Sequence, residues 1–96
     1  MLDFKGYDVL PYHTQSELRR YVEEGYMPGS FLTAVLCNDL FKAVAHADSS
    51  NIATLDDLVK FIYNRVDSRA WGSAQRMREW TETVWAAKKL VDGELV

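Results

Sequence analysis

Gly29-Ser30 and Gly72-Ser73 are the two places in this 96-residue chain where residue type and spacing suggest chemistry. Each puts a small residue and a hydroxyl at an expected helix start. Free backbone N–H groups and the positive end of the helix dipole attract anions there. Arg19, Arg20, Arg69 and Arg76 lie near these segments in sequence, and Tyr21, Tyr26 and Trp71 offer rings for stacking. If the two starts converge, Arg19, Arg20, Gly29, Ser30, Arg69, Trp71, Gly72, Ser73 and Arg76 would frame a phosphate or nucleotide pocket. The plainer reading is that both serines merely cap their helices. Sequence alone does not decide convergence.

Other chemistry is sparse. His13 and His46 are the only histidines and Cys37 the only thiol. A zinc site needs three or four such ligands at close spacing, so no metal is expected. Cys37 falls in an apolar run, where a thiol is buried and inert rather than nucleophilic. His46 stands near an expected helix end, where it serves the last carbonyls. Asp56-Asp57 and Glu79 with Glu82 could do acid–base work, but each pair lies on an expected solvated face. Nucleophile-elbow, phosphate-loop and dinucleotide signatures are all missing, so neither catalytic residues nor a cofactor is assigned.

Composition limits the function classes further. Ninety-six residues make one domain, residues 1–96, and 48% hydrophobic residues with 12% aromatic ones supply a core. The net charge is −3. Residues 1–64 carry 5 basic and 9 acidic side chains; residues 65–96 carry 6 and 5. That balance lacks the electrostatic footprint of nucleic-acid binding. The longest apolar run is interrupted by Asn38, Asp39 and Lys42, so no membrane span is expected. With one cysteine and no basic-then-apolar opening, the chain reads as cytoplasmic.

The elements that would position these residues are helical. Residues 1–13 alternate around Gly6 and stop at Pro11, which predicts an arm laid against the core. Thr14-Gln-Ser-Glu17 fits a capping box for helix one, ending at Gly25. Helix two is predicted from an N-cap at Ser30 to Ala47, apolar around most of its circumference and therefore surrounded by the rest. Such a helix cannot read DNA, although helices one and two have roughly a helix-turn-helix layout. Asp48-Ser-Ser-Asn51 is a cluster of turn and cap formers, and helix three follows with Ile52, Leu55, Leu58, Val59, Ile62 and Val66 in register. After a loop, Ser73 caps helix four, whose stripe is Met77, Trp80, Val84, Ala87 and Val91, with Gly93 closing it. Trp85 and Leu90 widen that stripe, either to cover the arm or to support a homodimer. The expected fold is all-α: a compact four-helix domain with a central apolar helix at about 30–47 and an extended N-terminal arm.

Leu10-Pro11, Leu18-Arg19-Arg20-Tyr21-Val22-Glu23-x-Gly25, Pro28-Gly-Ser-Phe-Leu-Thr-Ala-Val-Leu-x-Asn38-Asp-Leu40, Ala47-Asp48-x-x-Asn51 and Trp71-Gly72-Ser73 resemble a family of small proteins encoded by tailed phages and prophages. The likeness spans about residues 10–80, and the Pro-Gly-Ser-Phe-Leu block is its most specific part. It implies a phage origin and an accessory role in the host cytoplasm, but no site residues, since no biochemical activity of the family is known. The expected function is non-enzymatic: binding that inhibits or modulates a host protein, a defence system included. Tyr12, Tyr26, Arg69 and Arg78 are the expected contacts, because aromatic and arginine side chains dominate interface energy. The alternative is a small protein that sequesters a phosphate-bearing ligand at Ser30 and Ser73. An enzyme ranks last.

Overall fold

Asn38 sits at φ 64°, in the left-handed region, and that one residue divides what periodicity presents as a single central helix. The computed structural model describes the backbone of residues 2–95 and the side chains of residues 2–88. Along them run α1 (Tyr12–Arg19), a π-helical turn (Arg20–Glu24), α2 (Ser30–Leu36), α3 (Leu40–His46), α4 (Ser49–Ala53), α5 (Leu55–Arg65), a 3₁₀ turn (Ser68–Ala70) and α6 (Ala74–Leu95). The all-α class holds, with no strand among the described residues, but six α-helices replace the expected four.

The break at residue 38 has a complete hydrogen-bond account. Asp39 N–H reaches back to Ala34 O (2.8 Å) and Asn38 N–H to Val35 O (3.0 Å), the Schellman closure of a helix end. Asp39 then starts the next helix, its Oδ1 accepting from Lys42 N–H at 3.1 Å. The consequence is a change of course. Phe31, Leu32, Ala34 and Leu36 of α2 are buried, whereas Leu40, Phe41 and Val44 of α3 are 63%, 88% and 48% exposed. The surrounded central helix is therefore corrected to α2 alone.

Capping differs from expectation at two more starts. Pro11, not Thr14, is the N-cap of α1. Thr14 is buried, and its hydroxyl meets Asn51 Oδ1 at 3.4 Å. Gly29, not Ser30, is the N-cap of α2. Two other starts, at Asp48 and Ser73, follow the sequence, whereas the expected loop from Asp67 opens with a capped 3₁₀ turn. Asp48 accepts from Asn51 N–H at 2.8 Å, Asp67 from Arg69 N–H at 3.0 Å, and Ser73 Oγ from Arg76 N–H at 3.1 Å. The expected helix three is divided at Thr54, whose hydroxyl turns back onto Ser50 O.

One core cluster joins the pieces. Leu10, Leu18, Tyr21, Leu32, Leu36, Leu58, Phe61 and Met77 are fully buried. The arm does lie against this core. Phe4 stacks on Phe61 (4.4 Å between centroids), Tyr7 meets the same ring edge-on, and Arg65 binds the Asp3 and Lys5 carbonyls. Trp80 Nε1–H donates to Val22 O and fastens α6 to the π-helical turn. Along α6, Thr81 is buried where the stripe does not predict it, and Ala87 is exposed where it does. The helix runs past Gly93 rather than closing there. The expected contributions of Leu90 and Val91 lie outside the described side chains.

Candidate functional site

Ser30, at the start of α2, and Ala74, at the start of α6, border one cleft of about 380 Å³, together with Thr33, Cys37, Lys42 and His46. Asp39 lines the same cleft, so its rim carries a carboxylate beside the two basic side chains. One donor at each helix start, however, is already engaged by the chain itself. Gly29 N–H donates to Glu17 Oε1 at 2.7 Å, and Arg76 N–H donates to Ser73 Oγ. Each start holds an internal acceptor where a ligand's oxygen would sit.

The arginines are placed by other partners. Arg69 grips Asp67, Nη2 to Oδ2 at 2.7 Å, and its guanidinium lies 5.5 Å over the Trp80 ring. That hydrogen bonding holds the Asp67 carboxyl down to about 2, below the usual carboxylate range. Arg76 Nη1 reaches the Ser68 and Trp71 carbonyls, each at 3.4 Å. Arg19 lies 4.9 Å over the Phe4 ring, with Nε buried and unpartnered among the described residues. Arg20 borders a separate recess. Lys42 and His46 are the basic side chains at the cleft itself. The sequence reading did not choose them, although their spacing of four on one helix was a signal.

Cys37 also borders this cleft. Its thiol is half-buried and donates to Met77 Sδ at 3.2 Å. Burial, then the charge of Asp39, pushes its pKa up, which disfavours the thiolate a nucleophile needs. Tyr21 is more extreme. Its hydroxyl donates to Ala70 O at 2.6 Å, and burial drives the phenol well above its ordinary range.

Two surfaces remain. The first is a face built on the turn after α1. Gly25 takes φ 77° and ends the π-helical turn; a Cβ there would come within 2.7 Å of Trp85 Nε1, so the indole packs directly on bare backbone. Trp85, expected over the arm or at a homodimer contact, thus lies beside Tyr26. Lys88 Nζ stands 5.9 Å from the Tyr26 ring centroid. Tyr26, Met27 and Trp85 are 59%, 55% and 51% exposed, and a recess of about 330 Å³ formed by Glu17, Arg20, Tyr26, Met27 and Pro28 adjoins them. Arg78 is exposed and falls on the same stripe of α6 as Trp85, seven residues on. Tyr12 is exposed at the start of α1, and Arg69 is occupied by Asp67 and Trp80.

The second surface is an apolar cleft of about 200 Å³ between the start of α3, the outer face of α5 and the Trp71-Gly72 loop. Leu40, Leu55, Val59, Ile62, Tyr63 and Trp71 line it. Gly72, at φ 115°, ties its floor to α2 through Gly72 N–H donating to Leu36 O at 2.7 Å. No sequence reading located this cleft, because the buried-helix expectation assigned Leu40 to the interior.

Among the described residues no group of three or more His, Cys, Asp or Glu side chains could hold a metal ion, and no helix is long and apolar enough to cross a membrane. No family model, curated protein or solved structure matches the chain.

Proposed function

We propose that the chain is a non-enzymatic, phage-encoded accessory protein that binds and inhibits or modulates a host protein, a defence system included, through the face centred on Tyr26. One observation carries this reading: Tyr26, Met27 and Trp85 stand half-open beside Arg20, on a backbone fixed by Gly25. Tyr, Trp, Met and Arg are the residues enriched at the centres of non-obligate interfaces, and a rigid base reduces the ordering cost of binding. The phage resemblance supplies the setting. Four carboxylates, Glu17, Asp39, Asp48 and Asp67, each hold a backbone N–H and so serve the fold.

Immobilised chain should capture a specific protein from host lysate at low salt. Tyr26→Asp combined with Arg20→Glu should abolish capture while leaving far-UV circular dichroism unchanged. Capture of nothing specific by the unmodified chain overturns the reading.

A phosphate-bearing small ligand is the second reading, supported by Lys42 and His46 on the cleft that Ser30 and Ala74 border and opposed by Asp39 there. A nucleotide present at 100 times its Kd should stabilise the fold by ~2.7 kcal/mol, visible as a thermal shift. A panel of nucleotides that produces no shift removes this reading.

A further inference from the structure

Phe41 is 88% exposed, the barest large apolar side chain among the described residues, and stands beside Leu40, which lines the apolar cleft. Its ring lies outside that cleft, in solvent. The cleft holds about 200 Å³ of empty space with walls of Val59, Ile62, Tyr63 and Trp71, a size and chemistry suited to one aromatic ring. A knob and a matching hole thus lie side by side on one surface.

We propose that this surface is the interface of a two-fold dimer in which Phe41 of each copy enters the cleft of the other. A two-fold axis pairs a surface with itself, so a neighbouring knob and hole are satisfied reciprocally by one rotation. Exposure supports a partner on this face. Leu40, Phe41, Val44, Val59 and Tyr63 are 63%, 88%, 48%, 49% and 72% exposed. So many large apolar side chains left open on neighbouring elements mark an association surface rather than scattered surface residues. Composition agrees. The patch is almost wholly apolar, as homodimer interfaces are, whereas the Tyr26 face is mixed. Charge does not oppose pairing: Asp39 lines the cleft, Asp56 on its α5 side pairs with Lys60 at 3.9 Å, and Arg76 stands at the Gly72 end.

The test is the mass of the full chain by sedimentation equilibrium up to about 100 μM, a range that detects micromolar dissociation constants. The expected mass is that of two chains. Phe41→Asp should weaken association at least ~30-fold, the size of a hot-spot loss. Val59→Arg, which fills the cleft, should do the same. Both residues are solvent-exposed, so circular dichroism of the variants should match the unmodified chain, and their Tm should match it at dilutions where the unmodified chain is single and fall below it where that chain associates. Phe41→Asp retains its cleft and Val59→Arg retains its Phe41, so a mixture of the two should associate more tightly than either alone. A chain that stays single at about 100 μM overturns the proposal and leaves the cleft to a foreign partner. Unchanged association of Phe41→Asp, or a mixture with no gain, also overturns it. These substitutions leave the Tyr26 face intact, so the outcome is independent of host-protein capture.

Discussion

Glu17 Oε1 accepts a hydrogen bond from the backbone N–H of Gly29 at 2.7 Å, so a side chain of α1 caps the start of α2. The residues are twelve apart, across the π-helical turn and the Tyr26 segment. This contact holds the recess formed by Glu17, Arg20, Tyr26, Met27 and Pro28 in shape. Glu17→Ala should cost about 1 kcal/mol, the usual loss of a cap. For a chain of this size that lowers Tm by ~4–8 °C in a thermal melt. It should also weaken host-protein capture without touching the exposed face of Tyr26.

Asn38 separates α2 from α3 at φ 64°, where a β-carbon is strained. Asn38→Gly should leave stability within about 0.5 kcal/mol, because glycine adopts this conformation without a steric penalty. Asn38→Val should cost more than 1 kcal/mol by the same geometry. Equal chemical-denaturation midpoints for the two variants would contradict the left-handed stop.

Tyr21 is fully buried, and its hydroxyl satisfies Ala70 O at the foot of α6. Tyr21→Phe strands that carbonyl and should cost about 1–3 kcal/mol near neutral pH. The folded phenol titrates above its ordinary value, so its contribution is complete below pH ~10 and fades as pH rises further. The Tm difference between Tyr21→Phe and the unmodified chain should therefore stay constant up to pH ~9 and narrow only above pH ~10.

Asp67 behaves oppositely. The Arg69 guanidinium and backbone N–H hold its carboxyl down to about 2, so its contribution is present at neutral pH and disappears on acidification through that value. Asp67→Asn should lower Tm slightly at pH 7, the pair being exposed. The difference should vanish between pH ~4 and pH ~2. A difference independent of pH across that window would show that the carboxylate charge contributes nothing.

Particular residues show how far the sequence could be read. The Pro-Gly-Ser segment correctly announced α2, and Phe31, Leu32, Ala34 and Leu36 are buried as expected. Asn38-Asp39 already contained both a left-handed stop and a cap, but the apolar residues on either side suggested one uninterrupted helix. Ser73 was identified as a cap because that signal is local. Ser30 was not displaced by anything local: Glu17, from another helix, reaches the helix start instead. The arginines near the two starts resemble an anion site in sequence, yet Asp67, Trp80, Phe4 and two carbonyls orient them elsewhere.

By itself the sequence determined the helical class, the apolar core positions of α1, of α2 and of one side of α5, and the caps at Asp48 and Ser73. Those depend on hydrophobic period and on hydrogen bonds spanning two or three residues. Tertiary structure alone decided that Glu17 fills the start of α2, that Trp85 rests on Gly25, and that Leu40, Phe41 and Val44 face solvent. The physical reason is that periodicity shows which side of a helix is apolar, while burial requires another element to cover it. Beyond Asn38 the chain turns, and among the described residues nothing covers that face of α3.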